Sequence, residues 1–348
     1  MLQQPQPQPP ASPINVNALH DAELEWAWQI KRALLARSSI AKQQQQKEGT
    51  ARATNDSSND SSNDNADNDD DELCILHPLS DYDIAQLAVV TLGQERHNLD
   101  SILESVLGLQ CLREEYGLVD TPAEGVELIR NLITHVQPGL LLAFDKSPDK
   151  TSYMSIFDFA RLQPAALEKN DDANWRAFQG SYYYMLQAGC CNLQYTREGF
   201  VSICECQGMS QQSFNTKMVQ RVAQEVGMHY PKLQKESLWL NTPLVANVMY
   251  AFVKPWMKSR WDNVKLGCKL EWFDGRIDAL INVPTPQLAQ ERLLINVHAA
   301  LVERYHHVQH YVLPSLPNHH QYEDDDDASG DDGDSDEDDD ENDQEMEG

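Results

Sequence analysis

The sequence predicts an α/β fold, with an N-terminal helical lobe followed by a mixed, largely parallel sheet flanked by helices. Three observations point there. A compact stretch of about 240 residues, from near Cys74 to near Pro314, is flanked by segments mostly too polar to build a core. Its first third carries helical spacing and capping signals. After Pro138-Gly139 the period changes, and short apolar runs alternate with helical segments. Alternation of that kind is the mark of crossover units and a buried parallel sheet.

Residues 1–20 are Gln/Pro-rich and read as disordered. Residues 21–46 are predicted to form an isolated helix, with Leu24, Ala27, Trp28, Leu34 and Leu35 on one stripe. An acidic Asn/Asp/Ser linker follows over 47–73, unable to bury enough apolar area to offset its ordering entropy. In the helical lobe, 74–137, Ser80 can cap a helix over 81–92 and Asn98 a second one reaching Tyr116, where Gly117 supplies the stop. Thr121-Pro122-Ala123-Glu124 is a capping box with Pro at the first helical position, opening a helix to about Val136.

The sheet region spans 138–285. Strands are predicted over 140–144 and 153–159, around the turn Lys146-Ser147-Pro148-Asp149-Lys150. A helix over 174–187, a strand over 200–206, a helix over 214–226 and a strand over 237–240 follow. An apolar helix over 244–252 is expected to break at Lys254-Pro255, since Pro cannot continue it. A strand at 264–270 completes the sheet. A C-terminal helix, 286–314, closes the fold, and 315–348 is an acidic disordered tail.

The formal net charge of −28 is unevenly placed. Residues 323–347 hold 17 acidic side chains and 55–72 hold 8, with no Lys or Arg in either run. The rest carries 30 acidic against 27 basic residues and is close to neutral. A duplex nucleic-acid binder needs a basic face to release counterions from phosphate, so no nucleic-acid partner is expected. The acidic tails could instead engage basic protein partners. No apolar run reaches the roughly 18 residues of a membrane span, and residues 1–13 lack the basic start and apolar core of a signal peptide. Seven cysteines, an odd number without framework spacing, suggest a reducing compartment, and the expected location is cytoplasmic.

Little in the chain supports catalysis. Cys190-Cys191 and Cys204-Glu205-Cys206 lack the two- to four-residue spacing of zinc pairs, and Cys204 and Cys206 on a strand read as small buried hydrophobes. His306 and His310 lie four apart on a helix but have no third ligand at convincing spacing, and a solvated face accounts for them. No nucleophile elbow or phosphate-binding glycine loop occurs. No enzyme activity, metal or cofactor is expected.

The informative stretch is 229–269. His229-Tyr230-Pro231 ends a helix, a strand leads into Asn241-Thr242-Pro243, and the apolar helix ends in Val253-Lys254-Pro255-Trp256. Between Tyr250 and Leu270 there are five basic residues and one acidic residue, with Trp261 among them. An apolar helix beside cations and Trp is what a membrane-interface patch requires. A buried core helix followed by ordinary surface lysines is the competing account.

On these motifs, and on Ala188-Gly189 before the strand that ends at Gln207-Gly208, the chain resembles the CRAL-TRIO lipid-binding domain family over roughly 80–275. The resemblance implies a sheet and helices enclosing an apolar cavity, with the helix after Asn241-Thr242-Pro243 as a movable gate. It sets Tyr184, Val201, Ile203, Leu238, Leu240, Leu244, Val248 and Phe252 as cavity lining. Lys254, Trp256, Lys258, Arg260, Trp261 and Lys265 would dock the gate transiently on a membrane. Family members that bind phosphatidylinositol typically carry Glu directly after Tyr-Pro, where this chain has Lys232. The implied ligand is therefore a lipid or other hydrophobic small molecule without inositol specificity. The implied role is non-enzymatic transfer or presentation of it. Two acyl chains of about 16 carbons cost roughly 20 kcal/mol to expose to water, so a carrier must open against the bilayer. An interaction adaptor with a vestigial cavity, working through its acidic tails, is the alternative.

Overall fold

Helix starts in the N-terminal lobe are set by side chains within one turn of them. A computed structural model describes residues 18–55, 79–92, 98–147, 150–168, 172–210, 234–257, 264–268 and 286–316. The Ser80 hydroxyl accepts the Asp83 N–H at 3.0 Å and opens α2 (Asp81–Leu92). Asn98 accepts the Asp100 and Ser101 N–H groups at the head of α3 (Leu99–Glu115). Past Tyr116 the chain turns at Gly117, whose φ of 58° suits a residue without Cβ. Thr121 caps α4 (Pro122–Asn131), which continues as a π-helical turn over Leu132–Val136. Its intended box partner, Glu124, does more than close a box. The carboxylate accepts the Val119 N–H at 2.6 Å, pairs with Arg176 at 2.6 Å and accepts the Tyr184 hydroxyl.

The helix expected to be isolated is docked. In α1 (Asp21–Asn55), Leu24, Trp26, Ala27, Ile30 and Leu34 are buried, while Leu35 is 58% exposed. The Trp26 indole donates to the Thr91 hydroxyl at 2.8 Å, Lys31 pairs with Asp81 at 2.6 Å, and Arg197 pairs with Glu23. The buried stripe follows i, i+3, i+4 spacing through Ile30, and its partner α2 lies too far along the chain for local pattern to reveal. The helix also runs to Asn55, into the segment expected to be linker.

The sheet has order β1-β2-β3-β4-β5. β1 (Leu141–Lys146) and β2 (Tyr153–Asp158) form an antiparallel hairpin. β3 (Phe200–Glu205), β4 (Gln234–Leu240) and β5 (Val264–Cys268) add in parallel. Between β2 and β3 lie a 3-10 turn (Phe159–Arg161), α5 (Ala165–Glu168), α6 (Asp172–Gly189) and α7 (Leu193–Glu198). The 3-10 turn, α5 and α7 are too short to show a period in sequence. α8 (Leu244–Met257) does not stop at Lys254-Pro255 as expected. Near a C-terminus, Pro255 removes a single i to i−4 bond, and the remaining turn closes past it. The expected helix over 214–226 lies outside the described residues.

α9 (Pro286–His310) crosses back over the first strand, its Asn296 side chain donating to the Phe144 carbonyl at 2.9 Å. On this side Leu141, Phe144, Tyr153 and Phe200 pack with Ile129 and Ile133, with Trp175 and Met185 of α6, and with Leu293 and Val297 of α9. α4 comes so close that a Cβ on Gly125 would stand 2.7 Å from both Tyr184 and Leu301. Residues up to Leu313 form one unit, and Pro314–Gly348 form a second, of which 314–316 are described and carry no helix or strand.

Candidate functional site

Successive side chains on a strand point to opposite faces, so strand register decides which residues meet across a sheet. Ile156, Ile203 and Leu238 are partners across β2, β3 and β4, and Met154 is partnered with Val201. With Ala143, Leu240 and Cys268 they form one apolar cluster on the face opposite to Phe144 and Phe200. Ile203 is fully buried, and Leu240 and Ile156 are each 1% exposed. Every member of the cluster comes from a strand. Four expected cavity residues, Val201, Ile203, Leu238 and Leu240, are thus brought together. Ala143, Met154, Ile156 and Cys268 join them unforeseen, although alternation along 153–159 already put Met154 and Ile156 on a common side.

One edge of this face is charged. Lys265 is the register partner of Leu238 and pairs with Glu236 at 2.6 Å. The Glu236 hydrogen bond and charge hold the Lys265 ammonium above its ordinary value. An expected membrane-docking cation is therefore already neutralised by a neighbouring strand.

After β4, Asn241 takes a φ of 48° and donates through its side chain to Glu205 at 2.9 Å, turning the chain into α8. α8 packs through Val245, Ala246 and Tyr250 against Trp239, Cys204, Cys206, Val264 and Leu266. Those strand residues belong to the other face from Leu238 and Leu240. Leu244 and Val248, one turn apart, are 79% and 61% exposed, and Ala251 and Lys254 are exposed beyond them. Neither Leu244 nor Val248 joins the apolar cluster, because the side of α8 that carries them is turned away from Trp239. The side chains of Phe252 and Trp256, and the residues Lys258, Arg260, Trp261 and Tyr230-Pro231-Lys232, lie outside the described set.

Tyr184 is also placed elsewhere than expected. It is 1% exposed in the helical core, donates to Glu124 and accepts the Asp120 N–H at 3.0 Å. The α6 face that carries it meets α4 and α9, so its alternation on a helix gave no access to the far side of the sheet.

Burial pushes the Cys190 and Cys204 thiols up to about 12, disfavouring the reactive thiolate. Cys111 is disulfide-bonded, which departs from the expectation of reduced thiols. The His306 and His310 rings lie 4.6 Å apart, and no group of three or more potential metal ligands occurs among the described residues. No described helix is long and apolar enough to cross a membrane.

Residues 144–263 match the family model described as CRAL/TRIO domain. That span contains nearly the whole apolar sheet face and all of α8. No curated protein matches the sequence. Among solved structures, the crystal structure of Sfh5 aligns at 14% identity with a TM-score of 0.41. The alignment covers 53% of this chain and 64% of that one, so this chain spans less than two thirds of that structure's length.

Proposed function

We propose, from the match of residues 144–263 to the CRAL/TRIO domain model, that the chain binds a lipid or other hydrophobic small molecule. The observation that carries the reading is the apolar face built by all five strands, with Ile156, Ile203, Leu238 and Leu240 at its centre. Among the described residues the centre of that face is apolar and charge lies at its margins, with Glu236 and Lys265 on one side and Asp158 and Glu205 at the register positions beside Leu240, which suits a largely apolar body.

The role is non-enzymatic transfer or presentation, at a membrane surface touched transiently from the cytoplasm. α8 serves as the gate. Leu244 and Val248 stand in water with Lys254 beyond them, the side that a bilayer would bury while the cation meets anionic headgroups. The test is native mass spectrometry and solvent extraction of the purified full chain, followed by transfer of labelled lipid between vesicles. A co-purifying lipid and protein-dependent transfer are expected. Protein that carries no lipid and moves none between vesicles overturns the reading and favours an adaptor.

A further inference from the structure

Ile156, Ile203 and Leu240 are buried on the sheet face opposite to Trp239, yet every member of their cluster comes from a strand. A sheet face left to water would expose such side chains, so a second layer must lie over them at the usual spacing of about 10 Å. Among the described residues no helix side chain joins the cluster. α6 packs with Phe200 and α8 with Trp239, both on the other face.

The topology narrows the source of that layer. β2 to β5 advance through the sheet in parallel, and parallel crossovers are right-handed in nearly all proteins, so successive ones fall on one side. α6 and α8 obey this rule. The connection from β3 to β4 sets off on the same side, for Met209 packs with Cys204 and Trp239. Residues 1–17, 56–78 and 317–348 are polar over most of their length and cannot build an apolar layer. Residues 269–285 remain, and eight of these 17 are apolar, Trp272, Phe273, Ile277, Leu280 and Ile281 among them.

The end points of that segment require a crossing. It leaves β5 at one edge of the sheet, where Cys268 is aligned with Leu240 at the C-terminal ends of the parallel strands. It enters α9, which runs along the opposite edge: Arg292 pairs with Asp145, and Asn296 donates to the Phe144 carbonyl. Asp145 is aligned with Met154, near the start of β2. Four strand spacings are about 19 Å and the strands add about 15 Å of length, so the path is a diagonal of about 24 Å. The 17 residues reach about 25 Å as a helix and about 56 Å extended, so either conformation suffices. With α6 and α8 on the Trp239 side, the apolar face is the open route.

We propose that the apolar sheet face is the docking site of residues 269–285, which cross it diagonally from β5 to β1. The docking needs no ligand. That a ligand would draw on the same apolar surface rests on the reading given above.

The experiment follows oxidation of Met154 by hydrogen peroxide in the full chain. Met154 is 7% exposed on this face, and Met185, 2% exposed in the helical core, is the internal reference. Trp272→Ser combined with Phe273→Ser should speed Met154 oxidation about tenfold relative to Met185, because sulfoxide formation follows access to the sulfur. In a second protein, Phe273→p-benzoylphenylalanine should crosslink on irradiation to Met154 and to peptides holding 201–203 and 238–240, whereas the same probe at Phe214 should not. If the double variant unfolds, Met154 and Met185 oxidise together, and the crosslinks decide. Unchanged Met154 oxidation in a folded variant, crosslinks from position 273 that miss β2 to β4, or capture of Met154 from position 214 overturns the proposal. Native mass spectrometry of the same samples separates the two readings. Met154 still shielded in the variant with a lipid bound overturns the docking and keeps the ligand; Met154 laid open in protein that never carries lipid keeps the docking and removes the ligand.

Discussion

Replacing Leu244 and Val248 together by Gln would test α8 as the membrane-facing element without touching its packed side. Full burial of a Leu or Val side chain is worth about 1.5–3 kcal/mol. At 79% and 61% exposure, the pair has roughly 3 kcal/mol still to gain from leaving water. Each 1.4 kcal/mol is tenfold in an equilibrium constant, so vesicle binding should weaken between tenfold and a hundredfold. Folding should change by less than about 0.5 kcal/mol, because both residues are exposed and Gln is a good helix former. The assay is sedimentation with vesicles containing anionic lipid, at fixed ionic strength, beside a thermal melt. Unchanged sedimentation of a normally melting variant would refute the role assigned to this side of α8. A collapse of the melt would show instead that Leu244 and Val248 pack inside the domain.

Other expectations follow from single contacts. Lys254→Glu should weaken binding to anionic vesicles several-fold, at about 1 kcal/mol per charge near the surface, whereas Lys265→Glu should do less because Glu236 already holds that ammonium at 2.6 Å; equal losses would sink the distinction. The pair Lys258→Glu and Arg260→Glu should add to the Lys254 effect and leave the melt in place, with sedimentation as the check. Glu124→Ala leaves the Val119 N–H, Arg176 and the Tyr184 hydroxyl without their shared acceptor, so the urea midpoint should fall by the equivalent of about 2–3 kcal/mol; a loss below about 0.5 kcal/mol would contradict the hub. Acid should release α1. Burial raises the Glu23 carboxyl, but the Arg197 hydrogen bond, the His20 N–H and the charge of Arg197 outweigh it. At Asp81 burial is likewise outweighed, by Lys31 and the Leu313 N–H, so both groups titrate below their ordinary values of 4.5 and 3.8. Their contribution is full above those values and is lost as pH falls through the lowered ones. Hydrogen exchange should show residues 24–34 opening before the sheet does. Protection of α1 that outlasts the sheet in acid would refute this.

Local chemistry made much of this chain legible. Caps act within one turn, so Ser80, Asn98 and the Thr121-Pro122 start could be read directly, and so could the Gly117 stop. Alternation along a strand told which residues share a side, hence Val201 with Ile203 and Leu238 with Leu240. The resemblance over 229–256 pointed, from a short motif, to the family whose model matches residues 144–263. What sequence could not supply was the partner of each side. α1 was taken as isolated because the groups it meets, Thr91, Asp81 and Arg197, are brought to it only by the folded chain. Lys265 looked like a docking cation until sheet register set it beside Glu236. α8 is apolar nearly all round, so its composition did not say which side would meet Trp239 and which would carry Leu244 and Val248 into water. Helix starts and strand faces depend on neighbours a few residues away, and the sequence by itself determined them. Docking, register and helix rotation depend on contacts between residues far apart in the chain, and only the tertiary structure decided those.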